Sequence, residues 1–497
     1  MNNETKRKIA INIVLAFQAV IIVCVVLSGC SSKPENAITA DKQPTIFPDY
    51  REVTIPPNIA PLNFRIEGKV RNCYATFTGE NGESFSYGGT NSILIKPAEW
   101  KKLLSGNTGK SITVSLSTRS DSKQWTSWQP FSIHVSRDSI DSHLVYRLIE
   151  PGYEKWHIIG IYQRDLESFH EKPIIKNDMT GYNCINCHSF CEGDPNRMML
   201  HMRAANGGTY IISEDHIQKL DTKTDQTISH MTYPYWHPSG KYITTSVNDI
   251  KQFFHSVKDL KMEVFDLESD VVIYDVEQQA ILSDASILSK DAYETFPSFS
   301  PDGRWLYYCS APALPMPQGY DSVRYAIYRV PFDAAQGRIG RSADTIVSNS
   351  IYSASFPRIS PDGQFLMYTE TAYGQFPIWH KDAEIRMINL TTGGQVDMST
   401  LNSEDTDSYH SWSRNSRWAV VSSRRENGVY TLPYFTHIDE DGKPSKPFLL
   451  PQKNPDMYDY SLYSYNLPEL VSGKIKASPY AIRHTAIKTQ AKQVIFK

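Results

Sequence analysis

The chain of 497 residues predicts an all-β protein built from a β-sandwich followed by a repeat array. Three observations predict it. Tyr (29) and Trp (9) are abundant, 29 Pro and 26 Gly punctuate the chain, and stretches of helical periodicity are scarce. Short runs of alternating polar and apolar residues fill the region from Leu62 to Leu148. One turn motif then recurs four times between residues 235 and 418.

Residues 1–29 read as a targeting leader. Lys6, Arg7 and Lys8 precede an apolar run from Ile9 to Leu27, which ends in Leu27-Ser28-Gly29-Cys30. Small residues before a cysteine resemble the lipobox of bacterial lipoproteins. That resemblance implies lipidation of Cys30, a cell-envelope location and, with Ser31 rather than Asp next, the outer membrane. Both this reading and a plain transmembrane anchor export the remainder. Residues 30–51 are polar and contain Pro34, Pro44 and Pro48, as expected of a flexible tether.

Residues 52–150 predict a sandwich of immunoglobulin or fibronectin type. Asn81-Gly82 marks a two-residue hairpin turn, because both positions tolerate positive φ. One helix is expected at Pro97–Leu104, where proline can occupy the first turn at no hydrogen-bond cost.

Residues 151–205 form a segment of different chemistry. Cys184-Ile185-Asn186-Cys187-His188 matches the attachment signature of c-type haem. Two thiols three positions apart can form thioethers to one porphyrin, and the adjoining histidine can take the iron. His201, Met202, Met199 and Met198 follow as candidate sixth ligands, with His170 more distant. Cys191 supports a different reading, in which Cys184, Cys187, Cys191 and His201 hold zinc. A Cys184–Cys187 disulfide is a third. If haem is bound, Tyr182, Phe190, Leu200 and Trp156 are candidates to line its slot.

The repeats begin near residue 206. They read Tyr235-Trp236-His237-Pro238-Ser239-Gly240, Phe299-Ser300-Pro301-Asp302-Gly303, Ile359-Ser360-Pro361-Asp362-Gly363 and Trp412-Ser413-Arg414-Asn415-Ser416. They are spaced 63, 60 and 53 residues apart. Proline fixes φ, Asp or Ser accepts a backbone hydrogen bond, and Gly supplies positive φ. These boxes resemble those of PD40, or WD40-like, propellers of the TolB type. The resemblance covers about 206–470 and implies a six-bladed β-propeller, of which four units and part of a fifth are visible. Gly207–Ile212 and Ile217–Leu220 look like the outer half of that fifth unit, with missing strands supplied from Ser464–Leu470. The combination with the Cys motif is similar to bacterial PD40 proteins common in Bacteroidetes. Residues 471–497 carry six Lys and Arg and no acid, and read as a solvated tail that could meet anionic lipid or a partner.

The expected function is that of an exported, lipid-anchored propeller carrying covalent haem c, for electron transfer or redox-linked protein binding. The alternative is a non-redox scaffold for protein or glycan, its Cys motif structural. The net charge of −3 supplies no basic field for nucleic acid. No Gly-x-Ser-x-Gly elbow follows the repeats, so a hydrolase of the prolyl-peptidase kind is not expected.

Overall fold

The computed structural model describes residues 34–121, 124–150, 158–255, 262–284, 287–348 and 350–497. The leader, Cys30 and Trp156 lie outside the described residues. Among the described residues no helix is long and apolar enough to cross a membrane.

The chain is all-β. Its N-terminal part sets a seven-stranded sheet against a three-stranded one. Ser111–Arg119 is the central strand of the larger sheet, with every second residue buried. Phe64, from the smaller sheet, packs its ring on Phe77 and Phe131 of the larger. The predicted hairpin forms between Asn72–Gly79 and Ser84–Gly89, with Gly82 at φ +87°. The helix spans Pro97–Gly106 and buries Trp100, Leu103 and Leu104. The region expected to be a tether is partly folded. Ile38–Thr39 pairs with Thr126–Ser127, and Ile46–Phe47 pairs with Phe64–Ile66.

Six antiparallel sheets follow as propeller blades. Their innermost strands are, in ring order, Ser464–Val471, Ile185–Phe190, Met231–Trp236, Ala292–Phe299, Ser353–Ile359 and Asp407–Trp412. Each contacts the next, and the last contacts the first. Blade one takes its outer strands, His143–Ile149, Ile159–Asp165 and Glu171–Lys176, from far upstream of its innermost strand in the chain. The sandwich therefore ends before residue 143, not at 150. Within the segment expected at 151–205, the described residues from 158 onward form no separate unit, because they complete blade one and begin blade two. The closing strand joins blade one, not the unit starting at Gly207. That unit is blade two, whose inner half is Ile185–Phe190 and Arg197–Met202.

The basic tail is also folded. Pro479–Lys488 is a helix that buries Ile482 and Ala486. Lys492–Gln493 and Ile495–Phe496 then add parallel edge strands to blades two and three. The helix packs one apolar face because Ile482 and Ala486 are four residues apart. The sandwich docks on blade six, where Trp418 is fully buried and donates from Nε1 to the Asp138 carbonyl at 3.0 Å.

The recurring turn owes its shape to side chains. Ser300 Oγ donates to Asp302 Oδ1 at 2.6 Å, and Asp302 Oδ1 accepts from Arg304 N at 3.0 Å. Ser360 and Asp362 repeat this arrangement. The degraded fourth copy keeps it through Ser413 and Asn415, with Ser416 at φ +61° where the others have Gly.

Candidate functional site

The inner strands share a second repeat, which forms the channel. Cys187, Tyr233, Phe296, Phe356, Tyr409 and Leu467 all have positive φ, between +22° and +55°. Each lies at a register shift in its ladder, one bulge per blade. Four of these are aromatic and meet in sequence around the ring: Tyr233 on Phe296, Phe296 on Phe356 and Phe356 on Tyr409, with centroids 4.4, 4.3 and 4.4 Å apart. The next residues are His188, Pro234, Pro297, Pro357, His410 and Pro468. Proline suits a bulge, where the ladder asks for no N–H.

One residue further, Ser189, Tyr235, Ser298, Arg358, Ser411 and Glu469 make a polar tier. All but Ser298 line a cavity of about 130 Å³, together with His188, His410 and the rings of Trp236, Tyr409 and Trp412. The two indoles brace the tier: Trp236 Nε1 donates to the Ser189 carbonyl and Trp412 Nε1 to the Arg358 carbonyl, both at 3.2 Å. Glu469 Oε1 accepts from Phe190 N at 2.8 Å. Arg358 lies over the Tyr235 ring at 4.9 Å and donates from Nη1 to the Pro357 carbonyl at 2.8 Å.

Burial sets the charges here. His188 is buried, and neither ring nitrogen has a hydrogen bond of ordinary geometry. Burial, with Arg147 nearby, pushes its pKa down to about 3 against a pull from the Leu467 backbone. Burial and Arg358 likewise take His410 down to about 3; its Nε2 meets the Met367 carbonyl at 3.1 Å while Nδ1 lacks a partner. Burial pushes Glu469 up to about 8. Burial also lowers the Arg358 pKa, and Glu469 is the carboxyl group that opposes the shift. Arg358 is therefore the one charged member of this tier at neutral pH.

The Cys motif is blade two's copy of the bulge. Cys187-His188-Ser189-Phe190 aligns with Tyr409-His410-Ser411-Trp412 and Phe296-Pro297-Ser298-Phe299, and Cys191 stands where those blades have Ser413 and Ser300. These residues do not fit haem. Cys184 packs into the core between blades one and two, whereas Cys187 belongs to the channel tier. Alternation along Arg197–Met202 sends Met198, Leu200 and Met202 into the Cys184 core and Met199 into the opposite core. His201 binds Thr209 at 3.1 Å and lies against the His230 ring, 5.6 Å between centroids. His170 is exposed, as is Tyr182. The cavity beside His188 is also far below the ~300–1,000 Å³ of typical cofactor and ligand pockets.

Zinc fits no better. Cys184 and Cys191 lie in different cores. Among the described residues no three His, Cys, Asp or Glu side chains are grouped to hold a metal ion. The five described cysteines are free thiols. Sequence reasoning missed Tyr235, Arg358, His410 and Glu469. The available signal was the run of three residues preceding each turn box, read together with its counterparts in the two inner strands that lack a box.

These strands and their bulges define the chain as a six-bladed β-propeller with an N-terminal sandwich. No protein-family model and no curated protein matches it. Among solved structures it is similar to a puromycin hydrolase S511A mutant (11% identity, TM-score 0.39, covering 62% of this chain and 45% of that one). It is also similar to a Mycobacterium tuberculosis puromycin-hydrolyzing peptidase (10%, 0.37, 69% and 51%). A third is a Synechocystis apocarotenoid oxygenase mutant (9%, 0.36, 84% and 95%). The chain thus spans about half the length of the two hydrolases. Likeness at this level carries no functional argument, and the propeller assignment rests on the strand pairing.

Proposed function

We propose that this protein is an exported, lipid-anchored propeller scaffold that binds a small polar ligand in its channel. The polar tier carries this reading: buried imidazole nitrogens without partners face one cavity with a guanidinium that makes no ion pair among the described residues. Groups left unsatisfied in an interior cost free energy unless something binds them. The leader and Cys30 support export and anchoring at the outer membrane, and fatty-acid labelling should disappear in Cys30→Ser. A protein partner on a propeller face belongs to the same reading.

A panel of small polar compounds screened by thermal shift tests the ligand site. A hit should raise Tm in the native protein and lose its effect in Ser411→Trp, which fills the cavity. A hit that stabilises both equally binds elsewhere and ends the channel reading. Electron transfer through haem rests on the Cys184–His188 pentapeptide alone. Protein matured with haem-attachment machinery should give no covalent-haem band in a denatured, reduced alkaline pyridine spectrum.

A further inference from the structure

We infer that the channel cavity is a receptor for a small monocarboxylate, bound through the Arg358 guanidinium. This rests on the channel reading and adds the chemical class of the ligand.

His188 and His410 are neutral, and Glu469 is predominantly protonated at pH 7. Arg414 also lines the cavity and lies against Gly193, with the Glu192 carboxyl near enough for its charge to be felt there. Arg358 is the lining cation at the centre of the polar tier, and Arg147 adds positive charge behind His188. Arg358 is partly buried, and a charge held away from water without a counter-ion is costly. A ligand of charge −1 cancels it, whereas a phosphate dianion would leave an excess negative charge in the same desolvated space.

Geometry narrows the class further. A guanidinium offers two parallel N–H groups that match the two oxygens of a carboxylate. Arg358 commits Nη1 to Pro357, and its plane is steadied by Tyr235 and by the Trp412 bond to its own carbonyl. Protonated Glu469 adds an O–H donor and the neutral His188 ring can present one N–H, whereas His410 spends its N–H on the Met367 carbonyl. Carboxylate oxygens accept from Arg358, Glu469 and His188. The cavity of about 130 Å³ limits the ligand to a few carbons, and Tyr409, Trp236 and Trp412 offer its body an aromatic wall.

The test is calorimetry and thermal shift on the mature protein with lactate, its uncharged amide lactamide, and inorganic phosphate. Lactate should bind saturably and raise Tm, with lactamide and phosphate at least about tenfold weaker, the scale of a charge-assisted pair. Arg358→Met should abolish lactate binding. Arg358→Lys, which keeps the charge and loses the fork, should weaken it and serves if the Met variant does not fold. Equal binding of lactate and lactamide would overturn the carboxylate class and leave the channel reading standing. Preference for phosphate would overturn it too. A lactate response unchanged in both Arg358 variants refutes the assignment to this cavity. If none of the three compounds binds, the class falls; if the wider panel also fails, the channel reading falls with it.

Discussion

Blades two and four make the same bulge from different residues. Blade four uses Phe296-Pro297-Ser298-Phe299, in which an aromatic fills the channel tier and proline dispenses with a ladder N–H. Blade two uses Cys187-His188-Ser189-Phe190 in the same conformation. Its thiol is the smallest side chain of the tier, and its imidazole is buried without a hydrogen bond of ordinary geometry. Blade four thus places no polar side-chain atom at the position after the bulge residue, and its orphaned group is the single Ser298 hydroxyl. Blade two buries a whole imidazole there, at a position facing the cavity. A polar group held in an interior without a partner is more readily explained by a ligand than by stability.

The comparison breaks most visibly at the anchor residue. Phe299 and Phe190 occupy equivalent positions and are 1% and 4% exposed. Truncating either to Ala should cost about 3–5 kcal/mol in chemical denaturation, the scale of deleting a buried aromatic. A much smaller loss for Phe190→Ala would mean that blade two is not an equivalent packing unit.

The next effect concerns pH. Glu469 has a folded pKa of about 8, above the usual 4.5 of a free carboxyl. Between those values the folded state holds a proton that the unfolded state has released, so this group's contribution falls as pH rises. The histidines act in the opposite direction and lower down. With folded pKa values near 3 and ordinary values of 6.5, their contribution grows as pH rises to about 6.5 and is then flat. The window from 6.5 to 8 therefore isolates Glu469 from them. Glu469→Gln, which keeps an acceptor for Phe190 N, should remove about 2 kcal/mol of stability loss across that window. Parallel profiles for the native protein and the variant would mean that Glu469 is ionised in the folded state.

The smallest effect is the sharpest test of the repeat. His188→Pro installs the residue found at four of the six equivalent positions. It should change stability by no more than about 1 kcal/mol, because it removes buried imidazole nitrogens that have no partner. A loss of several kcal/mol would show that His188 supports the fold in a way Pro234 and Pro297 do not.

Much of this architecture was legible in the chain. Alternation in Ser111–Arg119, the Asn81-Gly82 turn and the Pro97 helix start are local features, set by φ preferences and side-chain period. The two intact Ser-Pro-Asp-Gly boxes announced repeated blades for the same reason. The haem signature was equally local: Cys-x-x-Cys-His specifies spacing but not which way each thiol points.

Tertiary structure decided the rest. Ser464–Val471 closes blade one by pairing with His143–Ile149, and no local pattern encodes a partner that distant. The tail helix formed because Ile482 and Ala486 found an apolar surface to cover. The cavity's charges could not be read from residue types either. Arg358, Glu469, His188 and His410 come from four blades, and burial in the assembled ring sets their protonation. The sequence by itself determined an all-β repeat and its turns, because those depend on neighbours a few residues apart. The closed ring and the chemistry of its channel depend on which strands meet and how much water they exclude, and only the fold decides both.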